Sequence, residues 1–113
     1  MNNDIIDTVF KLSANKFVES INVSREINYD SVSGYTLVLI LSDYPYIGGD
    51  KLKLTFHDVQ ELKLGDVNNL FDPLLKIEDV SDRQLENINF RVTELEYAMF
   101  GFWCKNFDYE IIN

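Results

Sequence analysis

One histidine, one cysteine and several close pairs of acids are the residues of this chain whose chemistry could serve a reaction. His57 is followed by Asp58 and Glu61. An imidazole titrates near neutrality, and a carboxylate that orients it makes it a general base. No evident nucleophile accompanies it, and a metal site there would need carboxylates folded in from elsewhere. The plainer reading is a polar residue at a bulge in an exposed strand. Cys104 stands in Phe102-Trp103-Cys104-Lys105, in phase with Phe100 and Phe102. A reactive thiol wants positive neighbours or a helix N-terminus, whereas an aromatic strand describes a small buried hydrophobe.

The acids pair as Glu78-Asp79, Glu94 with Glu96, and Asp108 with Glu110. Glu94 and Glu96 would point the same way along a strand, as a two-acid or cation site requires. Outward acids on a solvated strand give the same pattern. Asp66 to Asp72 begins like a calcium loop, but Leu70 and Phe71 stand where a ligand and a glycine are needed. The five glycines never form a phosphate cradle. The expectation is a protein that is not an enzyme and uses no metal and no cofactor.

A different set of residues suits recognition. Tyr44, Tyr46 and Ile47 lie in a proline-glycine loop bracketed by Asp43 and Asp50. Tyrosines on a rigid loop give large contact area at small entropy cost. The same loop could equally pack back on its own core.

These residues must be positioned by a small number of elements. Ile5, Ile6, Val9, Phe10 and Leu12 recur at spacings of three and four, which predicts an amphipathic helix over 3–15. Asn2 or Asn3 can cap it, Asp4 lies in its first turn, and Lys11 and Lys16 near its end suit the dipole. From Phe17 the period becomes two. Phe17, Ile21, Val23, Ile27 and Tyr29 share one side, and Val18 falls on the polar one. Glu19 and Arg25 on the apolar side suggest an edge or a bend. A turn at 30–34 leads to Tyr35–Leu41, apolar on both faces and so expected as a central, doubly covered strand.

Alternation resumes over Lys51–Leu64, with a slip of parity that implies a bulge or tight turn near His57-Asp58. A loop or brief helical turn over 65–73, a short strand at Leu75–Ile77 and a helical turn capped by Ser81 follow. Alternation returns at Ile88–Val92, Phe100–Cys104 and Phe107–Ile111, with Glu94–Met99 as the hairpin connection. The sum is one α+β domain over residues 1–113. Its helix packs on a mostly antiparallel, curled sheet of about six strands, a sandwich or half-barrel.

Charge limits the partner. Nineteen acids face ten bases, for a net charge of −9. Residues 1–56 hold seven acids and five bases, and residues 57–113 hold twelve and five. An acidic face with no evident chemistry is built to meet something basic. A pI near 4.4 argues against nucleic acid as a direct ligand and against an anionic membrane surface. The longest apolar run, Leu37–Leu41, is five residues, far short of the roughly 20 that span a bilayer. The N-terminus lacks a signal peptide's basic start, and one cysteine forms no internal disulfide, so a cytosolic location is expected.

Two stretches and a closing strand resemble a known class. Leu52-Lys53-Leu54-Thr55-Phe56-His57-Asp58-Val59 leads into Gln60–Leu64. Some thirty residues on comes Asn89-Phe90-Arg91-Val92-Thr93-Glu94-Leu95-Glu96, and the set closes with Phe100-Gly101-Phe102-Trp103-Cys104. This pattern resembles small bacterial immunity proteins encoded beside polymorphic or contact-dependent toxins, over about residues 50–112. The resemblance implies a cytosolic protein that binds one cognate toxin domain and blocks its active site. Many such toxins are nucleases with basic clefts, which suits an acidic inhibitor.

The candidate contacts are Asp43, Tyr44, Tyr46, Asp58, Glu61, Glu78, Asp79, Glu94 and Glu96. Two other readings stay open: an adaptor or subunit of a larger assembly, and a small enzyme or ligand-binding domain using His57. The sequence leaves the oligomeric state open.

Overall fold

A computed structural model describes residues 2–43, 49–65, 72–96, 98 and 100–112, with side chains from Asp4 onward. The order of elements is α1 (Asn2–Ser13), β1 (Phe17–Ser24), β2 (Tyr35–Ser42), β3 (Lys51–Leu64), β4 (Leu75–Asp79), a 3₁₀ turn (Ser81–Arg83), β5 (Phe90–Glu94), β6 (Phe100–Cys104) and β7 (Asn106–Ile112). Among the described residues every strand pairing is antiparallel, in the order β1-β2-β3-β6-β5-β4, and β7 lies on β3.

The 14-residue β3 is the spine. Its first half, Lys51–His57, pairs with β7, and its second half, Gln60–Leu64, pairs with β6. Between them the strand carries two bulges. The register against β2 shifts between Val59 and Phe56, and the register against β6 shifts between Gln60 and Lys63. Asp58 and Glu61 take the extra positions with φ of 54° and 53°. A bulge bends its strand and increases the local twist, and two in four residues turn a corner. The slip of parity at His57-Asp58 was the trace of the first. On the neighbouring side Lys105 makes the matching corner between β6 and β7, and its N–H donates to the His57 carbonyl at 3.0 Å.

The sheet therefore curls, and its core fills the inside. Leu37, Leu39 and Leu41 of β2, Leu52, Leu54 and Phe56 of β3, and Val92 and Phe102 are buried together. Phe56 meets Phe102 edge-on with centroids 5.0 Å apart, and Phe90 meets Phe107 in the same way at 5.0 Å. These pairs lock the two halves of the curl across the corner. Helix α1 packs on β4 through Val9, with Ile5, Ile6 and Leu12 against the core. It ends where Asn15 turns left-handed at φ 60°, and Asn15 N–H donates to the Asp72 carboxylate at 2.9 Å.

Several expectations need correction. Among the described residues the sheet has seven strands where about six were expected, and β6 and β7 part at Lys105 as their separate alternating runs implied. β2 lies second from an edge, and only its leucine face is fully buried, with Val38 and Ile40 half-buried on the outer face. In β1 a shift between Val18 and Ser20 turns Val18 inward beside Ile21, so Phe17 lies on the opposite face. Ser81 does not cap the 3₁₀ turn. The Asp79 carboxylate does that work, accepting from Ser81 N–H at 2.9 Å and Ser81 Oγ at 2.6 Å.

Candidate functional site

Beyond Ser24 the chain leaves the sheet. Residues 25–34 form a two-stranded extension that returns as β2. Ile27 bridges Val32, Asn28 N–H donates to the Ser31 carbonyl at 2.8 Å, and Ser33 N–H donates to the Glu26 carbonyl at 3.0 Å. Ser33 Oγ accepts from Glu26 N–H at 2.9 Å, completing the ladder with a side chain. Tyr29 and Asp30 occupy the two central positions of the turn, flanked by Asn28 and Ser31, residue types that favour turns.

The base of this hairpin is fixed at the β3 corner. Arg25 stacks its guanidinium on the Tyr35 ring, 3.7 Å from the centroid. A Cβ on Gly34 would overlap the Asp58 carboxylate and lie 3.1 Å from Asp58 Cα. Glycine is needed here because the bulged strand passes so close.

Among the described residues, five of the twelve exposed large apolar side chains fall between Val23 and Tyr35. Tyr29 is fully exposed, Ile27 is 73% exposed and Val32 57%. At the foot of the hairpin, Val23, Tyr35, Val59, Glu61 and Leu62 line an open cleft of about 350 Å³. Glu26, Asp30, Asp58 and Glu61 rim this apolar strip, and none has a side-chain ion pair or hydrogen bond among the described residues. An aromatic tip, an apolar strip and a rim of uncommitted acids are the components of a protein interface.

The residues singled out in the sequence scatter. Asp58 and Glu61 reach the foot of the hairpin through the two bulges. Tyr44 and Tyr46 lie outside the described residues, as does most of 66–72. Asp43 is held by Lys16 Nζ at 2.8 Å. Glu78 pairs loosely with Arg83 at 3.6 Å, and Asp79 serves the 3₁₀ turn. Glu94 does not point outward beside Glu96. It lies on the core face, 1% exposed, and its Oε2 accepts from Leu74 N–H and Glu96 N–H, both at 2.9 Å. Glu96 follows the end of β5 and is exposed. The hairpin tip itself went unread in the sequence, because alternation put Ile27 and Tyr29 on a buried side. The run Asn28-Tyr29-Asp30-Ser31 was the available signal, since it marks a turn two residues earlier than Asp30–Gly34.

His57 and Cys104 lie apart, one on the outer face of the sheet and one in the core. His57 Nε2 lies 3.0 Å from Asp108 Oδ2 on the outer face, so neither Asp58 nor Glu61 orients the ring. Cys104 is buried in the aromatic core, and burial pushes its thiol up to about 12. A thiol so far from ionisation is a poor nucleophile. Among the described residues no three His, Cys, Asp or Glu side chains gather as a metal site, and no helix is long and apolar enough to cross a membrane.

This fold is an α+β domain, one helix on a curled antiparallel sheet with a projecting hairpin. The chain belongs to the family described as Immunity protein PIM8, which matches residues 1–110. The match extends the resemblance seen over residues 50–112 through α1, β1, the hairpin and β2. Comparison with curated proteins and with solved structures found no match. Membership implies a non-enzymatic inhibitor that neutralises a cognate toxin.

Proposed function

We propose that this immunity protein docks on its toxin through the 25–34 hairpin and occludes a basic active-site cleft, of the kind nucleases carry. The observation that carries the reading is Tyr29, fully exposed at the tip between Ile27 and Val32 and rimmed by acids. A large apolar side chain held out in water contributes nothing to its own fold and gains about 2 kcal/mol or more when a partner buries it. The rim acids keep their charge available to a basic surface, which steers encounter. Of the contacts read from the sequence, Asp58 and Glu61 belong to this surface, Tyr44 and Tyr46 remain proposed contacts that lie outside the described residues, and Glu96 is an exposed outlier. Asp43, Glu78, Asp79 and Glu94 serve the fold first.

The test is the association rate with the toxin domain encoded beside this gene, followed by stopped-flow fluorescence from low to high salt. The rate should fall steeply with salt. The double change Glu26→Gln with Asp30→Asn should slow it about 3- to 10-fold at low salt. A rate indifferent to both would overturn the electrostatic docking, and a toxin whose active site still turns over substrate in the complex would overturn occlusion.

A further inference from the structure

The β1-β2-β3-β7 part of the sheet has two edges, and the chain treats them differently. At β1 the bulge between Val18 and Ser20 breaks the register, and Glu19 at the bulge is drawn to Lys51 at 2.9 Å. A bulged, charged edge is a poor template for another strand. β7 carries acids but no bulge. It runs in unbroken register against β3 from Asn106 opposite His57 to Ile112 opposite Lys51, and among the described residues its other edge is unpaired.

The side chains of β7 alternate in a way that specifies what could pair there. Phe107, Tyr109 and Ile111 face the core side, opposite Phe56, Leu54 and Leu52. Their exposure climbs from 8% to 37% and 46%, so the core row runs out of cover toward the end of the strand. Asp108 and Glu110 face the outer side. Asp108 touches His57 from within the sheet, and Glu110 forms no ion pair among the described residues although Lys53 stands opposite.

We infer that the β7 edge receives an extended strand of the partner in which Lys or Arg alternates with apolar residues. Such a strand would add backbone hydrogen bonds, cover Tyr109 and Ile111 on one face, and set its cations against Asp108 and Glu110 on the other. A second copy of this chain is the wrong occupant. Antiparallel pairing of two β7 edges about Tyr109 places Asp108 opposite Glu110 on both sides, and like charges directly opposed destabilise the pair. The inference rests on the toxin reading for the owner of the strand, and on the edge itself for the chemistry of the strand.

A tethered strand tests this without the toxin. A seven-residue strand alternating lysine and valine, joined after Asn113 through an Asn-Gly turn, meets β7 at an effective concentration in the millimolar range. Amide hydrogen exchange at β7 should slow about 10-fold or more against the untethered chain, with no change at β1. The same strand with glutamate for lysine should give no protection. Protection by both strands, by neither, or at β1 in place of β7 would overturn the proposal. The toxin association assay is separate: a toxin that binds while the tethered strand does not protect removes the edge and leaves the hairpin.

Discussion

The 25–34 hairpin and the β4–β5 pair both present clustered acids, and the chain uses the two sets in opposite ways. At β4–β5, Glu94 and Asp79 turn onto their own backbone, where the chain leaves a strand and N–H groups lose ladder partners. At the hairpin every turn N–H named above finds a carbonyl or Ser33, so Glu26 and Asp30 have no internal work. An acid's role is set by the unpaired backbone within its reach more than by its spacing from another acid.

Breaking the first set should cost stability. Glu94→Ala leaves two N–H groups unmet beside a small cavity, and should lower unfolding free energy by about 3 kcal/mol, read from the urea midpoint. Toxin affinity, measured well below that midpoint, should stay unchanged. Gly34→Ala probes the join between the hairpin and the β3 corner. The added methyl forces Asp58 aside and should cost about 2 kcal/mol, with altered amide shifts at both the bulge and the hairpin. Asp79→Ala removes both contacts to Ser81 and should cost about 1 kcal/mol by the same urea titration.

The pH dependence sharpens the contrast from the core side. Cys104 stays protonated in the fold to about 12, while in the unfolded chain it ionises in its ordinary range. Its folded value is raised, so its contribution is complete below a pH of about 8.5 and is lost as pH rises toward the folded value, by at most about 1.4 kcal/mol per pH unit. Cys104→Ala should flatten that part of the stability profile between about pH 9 and 11, whatever it does to the absolute level.

Much of the fold was legible because local pattern and tertiary role agreed. The period of 3.6 in Ile5–Leu12 marked α1, and the parity slip after Phe56 located the Asp58 bulge. Where they parted, the sequence misled. Ile27 and Tyr29 continue the alternation of β1, but alternation does not reveal whether anything covers the apolar side, and here nothing among the described residues does. Val18 reads as outward because one extra residue at Glu19 flips the phase. Glu94 and Glu96 share a parity, yet β5 ends at Glu94, and a strand end is where parity stops predicting direction. The acidic excess was plain from composition, while its division between internal and outward use depended on which backbone and cations the fold brings within reach, near in sequence for Asp79 with Ser81 and 20 residues away for Glu94 with Leu74.

The affinity of Tyr29→Ala for the toxin domain, measured by titration calorimetry, tests the central claim most directly. The account predicts a Kd about 30-fold weaker, equivalent to about 2 kcal/mol, with an unfolding midpoint unchanged within about 0.5 kcal/mol. An unchanged Kd for a well-folded Tyr29→Ala would contradict it, and would place the toxin on some other face of the molecule.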